Sequence, residues 1–341
     1  MIRKAWVGLA FLTAGVGTVV SQDREAEEGK DYVELRVDQL ACVIGNNRAL
    51  GVHRNRYNGV FRMTSPDQEE TPYVPFYAGI NLENFFDARP RHPDSTVFFE
   101  PRCHPMTLTR VDETTVELHQ KVTPYFGIES HMRFQLKSPY YVDYQYTCIP
   151  RRSDLAGGFF GVFWASYINA PHDKSIYFLG EDASLEQPVW EQFLTQQHDR
   201  DSTLRCQADD VHLDFEEGPL TLWRSLSPLR YSVPFYYGRF RNMVLIYVFK
   251  PGSTVRFAHS PSGGGPAESG THKQSNPAWD FALIVPDYEV DQPYSLEMRA
   301  VYKRWAGRQD VLDEVSQYLA GHDQVSSPWT APVSGKDTPV R

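Results

Sequence analysis

The feature that most constrains this chain is an alternation of apolar and polar residues that recurs along its body. Val33, Leu35 and Val37 alternate with Glu34 and Arg36, and Val116 and Leu118 with Glu117, His119 and Lys121. Ile128, Met132, Phe134 and Leu136 share one side of a period of two, leaving Glu129, His131, Arg133 and Gln135 on the other. Tyr140, Val142, Tyr144, Tyr146 and Cys148 repeat the pattern against Tyr141, Asp143, Gln145 and Thr147, and Tyr294, Leu296, Met298, Ala300 and Tyr302 do so again. Successive side chains of a strand point to opposite faces, so this period predicts half-buried strands. The runs 159–168, 243–249 and 279–285 lack the polar alternate and are expected to be buried on both faces, inside two packed sheets.

Helical periodicity is scarce. Val311, Leu312, Val315, Tyr318 and Leu319 make one stripe, with Gly321 as its expected stop. There is no internal repeat, heptad or linker dividing the body. The expected fold is all-β: one large antiparallel two-sheet sandwich over residues 22–321 with a short C-terminal helix, followed by a flexible tail over 322–341.

The first 21 residues read as a cleavable signal peptide: Arg3 and Lys4, an uncharged and mostly apolar stretch from Ala5 to Val20, and small residues before a cut after Ser21. That stretch is short of the ~20 apolar residues that span a bilayer, and no later window is an apolar helix of spanning length. The expected location is secreted or periplasmic, with no transmembrane segment in the mature chain. Lys and Arg number 34 against 43 Asp and Glu, a net charge of −9. That sign opposes polyphosphate binding, so no nucleic-acid partner is expected. Cys42, Cys103, Cys148 and Cys206 can form at most two bridges or stand as buried thiols; the spacing does not choose.

Several clusters carry chemistry. Lys137-Ser-Pro139 reads as a turn, so the strands on either side should pair antiparallel. A register that sets Glu129 against Thr147, His131 against Gln145 and Arg133 against Asp143 places an opposite-charge pair across the ladder. It builds a wall in which Glu129 and His131 are acid–base candidates, with His119 beside them; the plain alternative is a solvated sheet face with one ion pair. His53 and Arg54, ahead of an Asn-Gly turn, could hold an acidic sugar or simply balance surplus acid. Asn81 and Glu83 could bind hydroxyls or cap a turn. Tyr237 and Arg239 set rings beside a cation, and Trp279 and Asp280 a ring beside a carboxylate. The glycine-rich stretch 259–265 lacks the lysine and spacing of a P-loop and the G-x-S-x-G of a nucleophile elbow. His198 to Asp201 fits no EF-hand, and Cys103-His104 with His92 lacks the second close pair of a zinc site. No metal and no cofactor are therefore expected.

Tyr57-Asn-Gly-Val60, Tyr77-Ala-Gly-Ile-Asn-Leu-Glu83, Val116-Glu-Leu-His-Gln120, Phe163-Trp-Ala-Ser-Tyr-Ile168, Ser260-Pro-Ser-Gly-Gly-Gly265 and Asn276-Pro-Ala-Trp-Asp-Phe281 resemble a family of exported bacterial β-sandwich proteins of unassigned activity, over residues 40 to 315 or so. More distantly, the strand pattern is similar to the galactose mutarotase-like super-sandwich. That resemblance implies a carbohydrate ligand on the concave face of the larger sheet, with epimerase-, lyase- or hydrolase-like chemistry, and it transfers no catalytic residue. The expectation is thus a carbohydrate-active protein with Glu129, His131 and His119 as acid–base groups. His53, Arg54, Glu83, Tyr237, Arg239, Trp279 and Asp280 would hold substrate. The alternative is a non-catalytic glycan-binding or envelope scaffold protein. Oligomeric state is not encoded in any feature above.

Overall fold

A computed structural model describes residues 31–48, 56–252, 254–261 and 276–323. The segment expected to be a signal peptide, the 262–265 part of the glycine-rich stretch, and His53 and Arg54 lie outside the described residues. So does the tail beyond Asp323.

The alternating segments are strands. Strands β1 (Tyr32–Val37), β2 (Leu40–Gly45) and β3 (Gly59–Thr64) form a small sheet, and β4 (Asn81–Phe86) follows. Two single-turn helices, α1 (Ser95–Phe98) and α2 (Glu100–Cys103), lead to β5 (Thr107–Arg110), β6 (Thr115–Gln120), β7 (Ile128–Lys137) and β8 (Tyr141–Pro150). Next come β9 (Phe160–Ala165), β10 (Ile176–Leu179), β11 (Trp190–Phe193), β12 (Thr203–Cys206), β13 (Leu226–Tyr231) and β14 (Phe235–Phe240). The chain continues through β15 (Met243–Phe249), β16 (Val255–Ser260), β17 (Ala278–Val285), β18 (Tyr294–Arg304) and the helix α3 (Arg308–Asp323).

Two large sheets face one another. One has nine strands in the order β11-β10-β14-β15-β18-β8-β7-β6-β5, the other six in the order β13-β12-β16-β17-β9-β4. Pairing is antiparallel except between β12 and β13, which run parallel. The apolar faces meet in one core, where Tyr146 and Trp164 touch edge to face at 4.8 Å and Phe249 meets Phe281 at 5.1 Å. The runs without polar alternation are β9, β15 and β17, buried at every position. All four cysteines are free thiols, Cys42 and Cys148 buried. No helix among the described residues is long and apolar enough to cross a membrane.

Two expectations need correction. The helix runs through Gly321 to Asp323, because Gly321 does not take the left-handed conformation by which a glycine ends a helix. The β7–β8 register is two residues off the expected one: Glu129 faces Ile149, His131 faces Thr147, Arg133 faces Gln145, and Gln135 faces Asp143. The connection occupies Ser138, Pro139 and Tyr140 between the paired Lys137 and Tyr141, so it is longer than a one-residue reversal. A shift of two preserves every residue's face while changing every partner.

The outer face of the nine-stranded sheet, turned away from the six-stranded one, carries the polar set. Helix α3 covers part of it, laying Val311, Leu312, Val315 and Tyr318 against Tyr141, Val244, Ile246 and Val301. The tyrosine hydroxyls of Tyr140 and Tyr141 donate to Glu314 at 2.7 and 2.9 Å, fixing the helix to β8.

Candidate functional site

Strands β6 and β7 pair so that His119 lies directly opposite His131. Glu129 is two residues before His131, so the same pleat puts all three side chains on the outer face. Val116, Leu118, Met132 and Phe134 face the core on the alternate positions and lock this choice of face. The imidazoles stack 4.3 Å apart at 12°. Both direct Nε2 at the same carboxylate oxygen: Glu129 Oε1 is 3.0 Å from His119 Nε2 and 3.3 Å from His131 Nε2.

The other oxygen, Oε2, accepts from Arg151 Nη2 at 2.7 Å and Nε at 3.2 Å. Arg151 follows the end of β8 and also donates to Asp291 at 2.6 Å. Glu129 and His131 are buried while the side chain of His119 keeps 31% of its surface exposed. Burial alone would raise the Glu129 carboxyl, but the hydrogen bonds from Arg151 and His119 outweigh it and hold the group below its ordinary range. Burial, aided by the neighbouring His119, holds His131 below the usual imidazole value. The centre at neutral pH is therefore an ionised carboxylate beside an imidazole that resists protonation. Its three donors lie within 4.8 Å of one another, so the same residues could hold a divalent ion.

The surrounding face is polar. Arg133 pairs with Glu117, its β6 neighbour, and not with Asp143. Asp143 instead accepts from Arg299 of β18 at 2.6 and 3.0 Å and from Lys137 at 2.7 Å. The hydroxyls of Thr147 and Ser295 meet at 2.9 Å.

The residues expected to hold substrate divide into separate places. Tyr237 and Arg239 share the outer face of the nine-stranded sheet, but on β14, four ladders from β7 and so roughly 19 Å across the strands. Tyr237 is buried against Tyr177, Trp190 and Trp305, and its hydroxyl accepts from Arg308 at 3.2 Å. Arg239 lies 4.7 Å over Trp305, with its Nε buried and unbonded.

Trp279 is fully buried in the core, its indole N–H donating to the Lys174 carbonyl at 2.8 Å, so it presents no face to a ligand. Asp280 is equally buried; its Oδ1 accepts from the Ser166 N–H at 2.9 Å, and desolvation, with Glu83 nearby, drives its carboxyl well above the ordinary range. Glu83 belongs to a buried network on β4, accepting from Asn81 at 2.9 Å, Arg102 at 3.0 Å and the Tyr167 hydroxyl. Arg102 in turn lies 3.9 Å over Tyr57. The structure thus unites Glu129, His119 and His131, sets Glu83 near Asp280, and keeps these groups apart from Tyr237 and Arg239.

Arg151, Arg102 and Tyr167 were not legible as partners. Arg151 reaches Glu129 from beyond the end of the adjacent strand, and Arg102 comes from a one-turn helix; neither sits at a spacing tied to its carboxylate.

No family model matches the chain, and no curated protein is detectably similar in sequence. Among solved structures, the chain is similar to a protein described as a candidate aldose 1-epimerase from Escherichia coli K12, at 11% identity and a TM-score of 0.45, over 80% of this chain and 99% of that one. A GalM/aldose epimerase homologue from C. elegans gives 10% identity and a TM-score of 0.45 over 82% and 100%. The heparan sulfate lyase HepC from Pedobacter heparinus, in a mutant form, gives 9% and 0.36 over 79% of this chain and 34% of that one. No residue of the site is carried over from these proteins.

Proposed function

We propose that this is an exported carbohydrate-active protein whose reactive centre is the His119–Glu129–His131 cluster. One observation carries the reading: two imidazoles converge through Nε2 on one oxygen of a buried carboxylate whose other oxygen is held by an arginine. A neutral imidazole held beside a fixed carboxylate can take a proton from a sugar group and return it, as sugar epimerisation, β-elimination or glycoside hydrolysis each require. His119, half-exposed above the pair, is the group a sugar hydroxyl or ring oxygen would meet first. The hydroxyls of Thr147 and Ser295 and the amide of Gln145 on adjoining strands suit a polyhydroxylated ligand.

The test is a thermal-shift screen against neutral, uronic and sulfated oligosaccharides. Ligand at about 100 times its Kd adds about 2.7 kcal/mol, a readily seen shift. The stabilising sugar is then assayed for turnover. Glu129→Gln and His131→Gln should abolish turnover with thermal unfolding still cooperative; full activity in both would sink the assignment.

A second reading, a glycan-binding protein without turnover, is favoured by the aromatic cluster around Tyr237 on the same face. In that case a sugar would stabilise Glu129→Gln as well as the parent, and Trp305→Ala would lose the effect.

A further inference from the structure

From the convergence of two imidazole nitrogens and one carboxylate oxygen on a rigid sheet face, we propose that His119, His131 and Glu129 form a binding site for one divalent transition-type cation of the zinc class. The inference rests on the reading above that this cluster is the reactive centre, and it names the group that would work there.

The donors have the right chemistry. Imidazole and carboxylate together suit zinc and its neighbours, whereas calcium and magnesium take oxygen ligands alone. The spacing also fits. Ligands about 2.0–2.2 Å from a tetrahedral ion lie roughly 3.2–3.6 Å from one another. Glu129 Oε1 already stands 3.0 and 3.3 Å from the two Nε2 atoms, and all three donors fall within 4.8 Å. The rings stand stacked at 12°, so both must tilt about their ring torsions until their planes meet at the ion, which also closes the third edge.

The supporting geometry is that of a built site. The two histidines are fixed opposite one another by the β6–β7 ladder and Glu129 by the same strand as His131. Arg151 occupies Oε2 and leaves Oε1 as a single-oxygen ligand. An outer partner that orients a ligating carboxylate in this way is a usual element of metal centres. Three protein ligands on an open sheet face leave a fourth position towards solvent, on the side where His119 is exposed. A sugar oxygen could take that position. An ion held there would occupy both Nε2 atoms and would itself supply the polarisation of that oxygen.

The experiment uses the purified protein stripped with chelator, then titrated with Co2+ and with Zn2+ alone. The expected result is one equivalent bound, with a visible Co2+ absorption of a four- or five-coordinate nitrogen–oxygen site that Zn2+ displaces. His119→Gln, at a half-exposed position, should lower Zn2+ affinity by at least about 100-fold, and Arg151→Met by about 10–100-fold. Cys103→Ser with His104→Gln should leave binding unchanged, which separates this site from adventitious thiol binding. Absence of stoichiometric binding, or binding that survives both His119→Gln and His131→Gln, overturns the proposal. Sugar turnover by chelated protein that binds no stoichiometric Zn2+ would overturn the metal site and leave the sugar reading standing. Stoichiometric zinc with no sugar effect in any form would do the reverse.

Discussion

His119 and His131 stand face to face across the β6–β7 ladder, 4.3 Å apart and nearly parallel, with both Nε2 atoms turned to the same oxygen of Glu129. Two cationic rings could not hold this arrangement without repulsion, and Arg151 already supplies one positive charge to the carboxylate. The stacked pair therefore depends on Glu129 staying ionised and on at least one ring staying neutral.

Arg151 bridges two acids of very different worth. Its bonds to Glu129 reach a buried carboxylate, whereas Asp291 keeps 67% of its side chain exposed. Arg151→Met should lower stability by about 1–2 kcal/mol, since hydrogen bonds to buried charge are worth more than exposed ion pairs. Asp291→Asn should cost less than about 0.5 kcal/mol. Urea denaturation of the two variants checks the order; equal costs would contradict it.

The alternation made strands, faces and the all-buried runs readable, because period two is a local property of the backbone. It brought Glu129, His131 and His119 to one face without further information. The partners were not readable, because a two-residue change in the Lys137–Tyr141 connection leaves the pattern untouched while taking Arg133 from Asp143 to Gln145, and Arg299 meets Asp143 only through the separate β8–β18 ladder. The apolar run 279–285 already pointed to a buried Trp279, against its expected contact with substrate, but nothing local could show that its ring covers Gly238 or that Arg151 reaches back to Glu129. Those contacts depend on which strands lie side by side.

That register carries its own prediction. Asp143 is held below the ordinary carboxylate range: burial opposes ionisation, but the hydrogen bonds from Arg299 and then Lys137 prevail. A depressed carboxyl contributes stability that is present above its unfolded pKa of about 4 and is lost as pH falls through the folded value. Asp143→Asn should cost about 2 kcal/mol at pH 7, and progressively less as the pH falls through the folded value. A double-mutant cycle should find coupling between Asp143 and Arg299 and none between Asp143 and Arg133.

His259 of β16 gives a dependence of the opposite chemical kind. Its Nε2–H donates to the Lys174 carbonyl at 2.9 Å, and its Nδ1 meets the Thr195 hydroxyl at 2.7 Å, so the buried ring is neutral. Desolvation lowers its pKa from 6.5 to about 4. Between those values the unfolded chain binds a proton that the folded one refuses. Stability is therefore complete above pH 6.5 and declines on acidification towards pH 4, by about 3 kcal/mol. His259→Gln should flatten the stability profile between pH 4 and 6.5; an unchanged slope would show that other groups cause it.

The Lys174 carbonyl that receives His259 also receives the indole N–H of Trp279, at 2.8 Å. That bond holds the Trp279 ring where it covers Gly238 of β14, so close that a Cβ on Gly238 would lie 2.2 Å from Cη2. The glycine is thus required by the approach of the two sheets, and the ring cannot retreat without breaking its bond. Gly238→Ala should destabilise by about 1–3 kcal/mol, the usual penalty of overfilling a packed core. Trp279→Phe alone leaves a cavity and should cost a comparable amount. Combined, the smaller ring gives the new methyl room, so the double variant should be more stable than the sum of the two losses predicts, by at least about 1 kcal/mol. Strict additivity in urea denaturation would mean that the strain of Gly238→Ala is relieved elsewhere, by the β14 backbone and not by Trp279.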